Sequence, residues 1–297
     1  MLDPLIADME ARSKAAGVKD MFDTDSGPEA RARANHLRAN FYPRPDIAVG
    51  SATTELCDGP RGAIELRVVR PIHGRGSATV VYFHGGGWIV GDLESHAAHA
   101  ARIADEADAT VINVGYRLAP EEPFPAGVDD ALAATRHVWN NIVHYGGDKA
   151  KFAVAGDSAG GNLAAVAAIM CRDEGIALRA QLLLYPATNL AGRSEDRVHR
   201  HYFGGKALEN SGSWKASPAL ASSLGGLAPT ILGFGKYDFL YKDNEAFAAK
   251  LRAAGNDLTC REFPDLNHGF FSFTKISQSA LKAAQLLCAD LKHRLHG

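Results

Sequence analysis

The sequence contains few cysteines, and their spacing does not suit metal or disulfide chemistry. Its four cysteines lie far apart and form no CxxC pair: Cys57, Cys171, Cys260 and Cys288. A disulfide framework or a zinc site would need paired, closely spaced cysteines. We therefore interpret all four as free thiols in a core, and we expect no metal site.

The sequence also lacks a long apolar run and an excess of either charge. No stretch reaches the about 18 uncharged apolar residues of a membrane-spanning helix, and no basic segment followed by an apolar one marks a secretory signal. The 32 Lys and Arg residues nearly balance the 34 Asp and Glu residues, and the formal net charge is −2. We expect a soluble, cytoplasmic protein without stable membrane insertion. Nucleic acid is not an expected partner, because no basic face is present to meet a phosphate backbone.

Strands alternate with helices through most of the chain. At 297 residues it is long enough for one large domain or two small ones. Apolar runs predict strands, and amphipathic segments predict helices. The predicted strands are 78–83, 109–114, 151–155, 180–185, 230–235 and 258–263, and the predicted helices are 95–107, 128–143, 158–174, 242–254 and 276–294. This order predicts an α/β fold, with a mostly parallel sheet covered by helices on both faces.

Three segments fall outside this alternation. Residues 4–16 and 29–42 have helical patterns and are followed by prolines, so they are predicted to form an N-terminal appendage. Residues 47–70 alternate with period two, which predicts antiparallel strands at one sheet edge. Residues 188–228 are polar and irregular, as is typical of a lid or a binding loop.

A short motif at the end of one predicted strand indicates nucleophilic chemistry. Gly156-Asp157-Ser158-Ala159-Gly160 matches Gly-x-Ser-x-Gly, which places a serine on a strained turn between a strand and a helix. Glycine is needed two residues before and after the serine, because larger side chains would collide with the neighbouring strand and helix. The motif predicts Ser158 as the nucleophile. The alternative is an ordinary turn with a capping serine.

A glycine-rich loop follows the first predicted parallel strand. In His84-Gly85-Gly86-Gly87-Trp88, successive glycines allow backbone N–H groups to approach a substrate oxygen closely. The N–H groups of Gly85, Gly86 and Ala159 are predicted to form an oxyanion hole. His84 precedes the serine, so we expect it to fix the loop and not to act as a base. The alternative for the loop is a flexible hairpin.

A nucleophilic serine needs a base, and the base needs an orienting carboxylate. In this architecture the chain order is serine, acid, histidine. His268 follows the strand that ends at residue 263 and is the predicted base, whereas His293 and His296 lie in a charged terminal helix and are expected to be solvated.

The predicted acid is Asp238, which follows the strand at residues 230–235. Asp243 is the second candidate, but its place at the start of a helix is well explained by capping. Asp265, in the loop before His268, is a third candidate.

Six blocks in this order give the chain a family resemblance. They are His84-Gly85-Gly86-Gly87-Trp88, Tyr116-Arg117-Leu118-Ala119-Pro120-Glu121, Pro123-Phe124-Pro125-Ala126, Gly156-Asp157-Ser158-Ala159-Gly160-Gly161, Asp238 and His268-Gly269-Phe270. Together they resemble the bacterial hormone-sensitive-lipase-like carboxylesterases of the α/β-hydrolase fold. Two positions depart from the family pattern: Glu122 stands where a histidine is frequent, and Phe239 stands where a proline is frequent.

The resemblance implies an eight-stranded hydrolase core with a helical cap. The cap would comprise residues 1–45 and the insertion 188–228, and the core would comprise residues 46–187 and 229–297. It also implies hydrolysis of short- to medium-chain acyl esters without a cofactor, and it makes a homodimer plausible. The sequence does not separate ester from amide or lactone hydrolysis by the same site. A small-ligand binding protein on the same fold is a further alternative.

Aromatic residues are candidates for the walls of a substrate pocket. Trp88 and Phe270 stand next to the predicted catalytic elements. Within the predicted cap the candidates are Phe41, Tyr42, Tyr202, Phe203 and Trp214. The alternative for the cap residues is packing within the cap itself.

Overall fold

The computed structural model describes residues 1–74, 77–192 and 196–297. Residues 193–195, which belong to the predicted cap insertion, lie outside the described residues. The described residues form a sheet of eight strands in the order β1-β2-β4-β3-β5-β6-β7-β8. The strands are β1 (Ser51–Gly59), β2 (Gly62–Arg70), β3 (Thr79–Phe83), β4 (Thr110–Gly115), β5 (Phe152–Asp157), β6 (Ala180–Leu184), β7 (Thr230–Gly235) and β8 (Leu258–Phe263).

The sheet is parallel from β4 through β8, and its antiparallel part lies at one edge. β1 and β2 form an edge hairpin, and β2 pairs antiparallel with β4. Every residue of β3, β5, β6 and β7 is buried, as expected for strands covered on both faces. The predicted α/β class, the mostly parallel sheet and the edge position of residues 47–70 are confirmed.

The helices pack on the sheet or lie at its carboxyl edge. They are α1 (Pro4–Ala15), α2 (Gly27–Phe41), α3 (Ala97–Ala107), α4 (Ala126–Asn140), α5 (Ala159–Asp173), α6 (Arg197–Phe203), α7 (Ala207–Asn210), α8 (Tyr241–Ala253) and α9 (Gln278–His296). α3 and α9 form one packed pair, and α4 and α5 form another. No helix among the described residues is long and apolar enough to cross a membrane.

The strand register brings the ends of five strands together. Phe83, the last residue of β3, pairs with Gly156, which in turn pairs with Leu183. Gly235, at the end of β7, pairs with Phe263 at the end of β8. The loops that follow these strands therefore meet at one edge of the sheet, where ligands bind in open α/β sheets.

Capping residues explain why two helices begin where they do. α2 begins at Gly27, two residues before the predicted start, because Ser26 accepts a hydrogen bond from the N–H of Glu29 at 3.3 Å and Pro28 occupies the first turn. The predicted irregular insertion contains α6, which begins after Asp196. The Asp196 carboxylate accepts from the N–H of Val198 at 2.8 Å.

The N-terminal helices are fixed to the rest of the chain at several points. Asp3 caps α1, accepts a hydrogen bond from Ser277 Oγ at 2.7 Å and donates its N–H to the carbonyl of Asp265 at 2.8 Å. The insertion contacts the same region, because His201 Nε2 lies 2.8 Å from the carbonyl oxygen of Thr24. The two segments predicted to form a cap are thus in contact with each other.

The four cysteines are free thiols. Cys57, Cys171 and Cys288 are buried, whereas Cys260 is half-buried. Burial raises the pKa of Cys57 to about 11 and that of Cys171 to about 12. These thiols are therefore protonated at neutral pH, as expected of structural cysteines.

Candidate active site

Ser158 lies at a strained turn between β5 and α5. Its φ of 53° is positive, which is rare for a residue other than glycine. A Cβ atom at Gly156 would lie 2.2 Å from the carbonyl oxygen of Gly160, and one at Gly160 would lie 2.0 Å from that of Phe83. Only glycine fits at these two positions, and the turn presents the serine side chain at the carboxyl edge of the sheet.

Ser158, His268 and Asp238 form a continuous hydrogen-bonded chain. His268 Nε2 lies 2.8 Å from Ser158 Oγ, and His268 Nδ1 lies 2.9 Å from both carboxylate oxygens of Asp238. The Asp238 side chain is fully buried, and its Oδ1 also accepts the N–H of Leu240 at 2.7 Å. The loops after β5, β7 and β8 thus bring together three residues that are far apart in sequence.

The two other candidate acids lie elsewhere. Asp243 is in the first turn of α8, where an acidic side chain complements the helix dipole. The carboxylate of Asp265 accepts a hydrogen bond from Ser279 Oγ at 2.5 Å. Of the three candidates, the structure brings Asp238 to His268.

Two aromatic rings flank the imidazole of His268. The ring centroid of Tyr185 lies 4.9 Å from that of His268, and the centroid of Phe239 lies 4.4 Å from it. Tyr185 is fully buried, whereas Phe239 is 75% exposed. Sequence reasoning missed Tyr185 as a neighbour of His268. Its position directly after β6, between the strands that carry Ser158 and Asp238, was the available signal.

The structure corrects the predicted role of Gly85. Its N–H donates to Asp157 Oδ1 at 2.8 Å and so is not available to an oxyanion. Gly86 and Gly87 line the cavity together with Ser158 and Ala159. The signal that could have identified this difference is the aspartate that precedes the serine in the elbow motif.

Asp157 is a buried charged residue with several polar neighbours. Besides the N–H of Gly85, its Oδ1 accepts the hydroxyl of Tyr82 at 2.5 Å, and its Oδ2 lies 3.7 Å from His96 Nε2. Burial acts to raise the pKa of Asp157, but His96 and the hydrogen bonds outweigh it and hold this pKa well below its usual value. The carboxylate is therefore charged and fixes the start of the glycine loop.

His84 occupies a buried position beneath the same loop. Its ring stacks on Tyr116 with a centroid distance of 4.3 Å, and the Tyr116 hydroxyl donates to the His84 carbonyl at 2.7 Å. Burial lowers the pKa of His84 to about 3, so the imidazole is neutral. This environment fits the predicted loop-fixing role.

One group among the described residues could offer three ligand atoms to a metal ion. It comprises His96, His99 and Asp157, all buried, with ligand atoms within 4.8 Å of one another. The Asp157 carboxylate already accepts from Tyr82 and Gly85. We interpret the group as support for the glycine loop and assign it no metal.

A cavity of about 590 Å³ opens above Ser158. Much of its wall is apolar, and both predicted cap segments contribute to it. Its apolar and aromatic lining residues are Met21, Phe22, Tyr42, Trp88, Val90, Tyr185, Ala187, Leu190, Val198, Tyr237, Phe239, Leu240 and Phe273. Trp88 and Tyr42, two of the candidate pocket residues, lie at the cavity wall.

The other residues predicted above for the pocket are not among those that line this cavity. Tyr202 is buried behind Trp88, with the two rings stacked at 4.1 Å. Phe270 is buried beneath the site and packs edge-on against Tyr185 at 5.0 Å. Trp214 is half-buried and packs against the core. None of these three predicted residues lines the described cavity, and the rings of Tyr202 and Phe270 fill the protein interior instead.

Known proteins resemble this chain over most of its length. A family model described as the alpha/beta hydrolase fold matches residues 80–272. The carboxylic ester hydrolase LipN of Mycobacterium tuberculosis is 34% identical over 319 residues, covering 99% of this chain and 83% of the relative. The carboxylesterase NlhH of the same organism is 36% identical over 286 residues, covering 90% of this chain and 89% of the relative.

Solved structures of esterases also resemble this chain over almost its whole length. A hyperthermophilic esterase from the archaeon Pyrobaculum calidifontis matches with a TM-score of 0.87 and 32% identity, and the match covers 98% of each chain. A glycine loop and a serine elbow of this kind are features of α/β hydrolases. The chain therefore belongs to the α/β-hydrolase family, among the hormone-sensitive-lipase-like carboxylesterases that its motifs resemble.

Proposed function

We propose that this protein is a serine carboxylesterase in which Ser158 is the nucleophile, His268 the general base and Asp238 the orienting acid. The observation that carries the proposal is the hydrogen-bonded chain from Ser158 Oγ through His268 to the buried Asp238 carboxylate. This arrangement activates a serine hydroxyl, which is otherwise a weak nucleophile. The family membership and the esterase names of the relatives support it.

The reaction proceeds in two halves. His268 Nε2 accepts the Ser158 hydroxyl proton while Oγ attacks the ester carbonyl carbon, and the carbonyl oxygen becomes an oxyanion. The same proton then passes from Nε2 to the alcohol oxygen as the bond between that oxygen and the acyl carbon breaks. A water molecule next attacks the acyl-enzyme, with His268 again taking the proton, and the acid leaves as Ser158 recovers its hydrogen.

The oxyanion is held by backbone N–H groups beside the serine. We assign this role to Gly86, Gly87 and Ala159, because they line the cavity and Gly85 donates instead to Asp157. Ala159 begins α5, so the helix dipole also favours negative charge there. Loss of one such donor costs about 2.7–4 kcal/mol of transition-state stabilisation in other enzymes.

The substrate is a small ester with a short- to medium-chain acyl group. A cavity of about 590 Å³ is within the usual size range for small-molecule sites, and its apolar wall suits an acyl chain. We assign the described residues of segments 1–45 and 188–228 to a cap over core segments 46–187 and 229–297, since residues of both segments line this cavity. None of the steps above calls for a cofactor. The cytoplasmic location and the homodimer stay predictions.

The proposal is tested by hydrolysis of p-nitrophenyl esters from acetyl to palmitoyl, with Ser158→Ala measured in parallel. We expect turnover that is highest with a short or medium chain and lost in the variant. Ser222→Ala, at an exposed serine, is the matched control and should behave like the wild type. Activity that survives in Ser158→Ala would refute the assignment of the nucleophile.

Covalent labelling separates the remaining alternatives. A fluorophosphonate should label the wild type at Ser158 and leave Ser158→Ala unlabelled, because an idle serine does not react. Labelling without ester turnover would favour amide or lactone hydrolysis by the same residues. Neither labelling nor turnover would favour a binding protein.

A further inference from the structure

Phe239 is an unusually exposed aromatic residue at the edge of the cavity. It is 75% exposed, yet its ring lies against His268, with a centroid distance of 4.4 Å and an interplanar angle of 42°. It lines the same cavity as Ser158. A large apolar ring held in contact with water at the mouth of a cavity marks a surface that a ligand can cover.

We propose that Phe239 forms the binding surface for the alcohol part of the ester, and that the enzyme prefers esters of aromatic or bulky apolar alcohols. The inference rests on the proposed function, which assigns His268 the transfer of a proton to the departing alcohol.

The chemistry of that step fixes where the alcohol lies. The alcohol oxygen must come within about 2.6–3.2 Å of the group that protonates it, which is His268 Nε2. The first carbon atoms of the alcohol therefore lie beside the imidazole. The oxyanion donors of Gly86, Gly87 and Ala159 hold the other ester oxygen. A ring that contacts the imidazole and faces the cavity is thus adjacent to the alcohol.

Of the two rings that contact His268, only Phe239 can meet a ligand with most of its surface. Tyr185 is fully buried on the imidazole, whereas Phe239 is exposed. The exposed ring of Tyr237, which is 47% exposed, also lines the cavity and extends the aromatic surface. The surface is thus formed by two aromatic rings, which suit an apolar group.

The backbone holds Phe239 in place. Asp238, the residue before Phe239, is hydrogen-bonded to His268. The N–H of Leu240, the residue after Phe239, donates to Asp238 Oδ1 at 2.7 Å. Leu240 itself is buried. The ring is therefore fixed on the segment that carries the triad acid, and little ordering is needed when a ligand binds.

The test compares benzyl acetate with methyl acetate, which share the acyl group. The ratio of their kcat/KM values should favour the benzyl ester in the wild type and fall by about three- to tenfold in Phe239→Ala, the size expected for one aromatic contact. Phe239→Tyr keeps the ring and should restore the ratio. Leu208→Ala, at a residue that is 88% exposed and outside the cavity lining, is the control.

A second measurement isolates the alcohol site from acylation. The acyl-enzyme made from p-nitrophenyl acetate is offered benzyl alcohol or methanol in competition with water. The alcohol oxygen bonds to the acyl carbon, its proton passes to His268 Nε2, and Ser158 Oγ leaves and regains that proton. Transfer to benzyl alcohol should exceed transfer to methanol, and Phe239→Ala should reduce this excess.

The outcomes distinguish the two proposals. If Phe239→Ala lowers kcat/KM for both acetates by the same factor and leaves the transfer excess intact, the ring only positions His268 and the inference is overturned. If the wild type shows no hydrolysis that depends on Ser158, the proposed function fails instead.

Discussion

Replacing Gly160 by alanine tests the close approach of α5 to the end of β3. The new Cβ would lie 2.0 Å from the carbonyl oxygen of Phe83 and 2.5 Å from that of His84. Both distances are much shorter than an ordinary van der Waals contact, which is about 3.5 Å. Both atoms belong to buried backbone. Overpacking of this kind costs about 1–3 kcal/mol, whereas the helix propensity of alanine would stabilise by up to about 1 kcal/mol. The clash dominates, and we expect a net loss of about 1–2 kcal/mol in the free energy of unfolding.

The same substitution should impair catalysis. Relief of the clash requires the chain at Phe83 and His84 to move by about 1 Å, and the glycine loop begins there. A displacement of about 1 Å in a catalytic group can cost on the order of 100-fold in rate. We therefore expect kcat/KM to fall by about that factor.

Urea unfolding and hydrolysis of p-nitrophenyl butyrate measure the two effects. Gly212→Ala is the matched control, because Gly212 is exposed and its added Cβ would have no atom within 4 Å. It should be as stable and as active as the wild type. Wild-type stability and activity in Gly160→Ala would refute the steric explanation of the elbow motif.

Three further predictions address the acid, the loop and the buried histidines. Asp238→Asn should lower kcat by about 10⁴-fold, because the imidazole loses its orienting charge. Asp243→Asn should keep kcat near the wild-type value. Steady-state kinetics measure both variants, and equal losses of kcat would contradict the assignment of Asp238 as the acid. Asp157→Asn weakens two charge-assisted hydrogen bonds by about 1 kcal/mol each. The free energy of unfolding in urea should therefore fall by about 2 kcal/mol, and kcat/KM should fall as well. Unchanged values would contradict the role of this carboxylate in fixing the loop. Burial lowers the pKa values of His84 and His99 to about 3 from 6.5. Between these two pH values both histidines take up a proton on unfolding. The free energy of unfolding should therefore fall as the pH decreases from about 6.5 to 3, by up to about 1.4 kcal/mol per pH unit for each histidine. In His99→Phe, the free energy of unfolding measured in urea should depend less steeply on pH across this range. An unchanged pH dependence would contradict the lowered pKa of His99.

The sheet could be predicted from the sequence because its central strands are buried on both faces. Their apolar runs, such as Phe152–Asp157, are interrupted by glycine and followed by amphipathic segments, and this contrast is local. The ends of helices were predicted less well. α4 ends at Asn140, three residues before the predicted end at Val143, and Val143 is 84% exposed. An apolar residue at the surface looks like part of a buried helix face when only the sequence is considered.

The hydrogen-bonded set of Ser158, His268 and Asp238 could also be predicted. Each of these residues follows a strand that the apolar pattern of the sequence identifies. The walls of the cavity could not. Tyr202 and Phe22 are both aromatic residues in the predicted cap segments, yet Tyr202 stacks behind Trp88 and Phe22 lines the cavity. Which ring meets the ligand depends on how the two cap segments pack on each other, and no local pattern records that.

The error at Gly85 has a different origin. The sequence contains the partner of its N–H, but only the pairing of the strands shows that the two residues meet. Asp157 stands beside Ser158 in the elbow, and its carboxylate takes the N–H of a residue 72 positions earlier in the chain. The two meet because β3 and β5 pair in parallel, with Phe83 opposite Gly156. Counting along this register from Phe83 and Gly156 places the start of the glycine loop beside Asp157. A buried carboxylate needs donors, and the first glycine N–H of the loop is one that lies within reach. This is why we propose the next two glycines of the loop, together with Ala159, as the donors for the oxyanion.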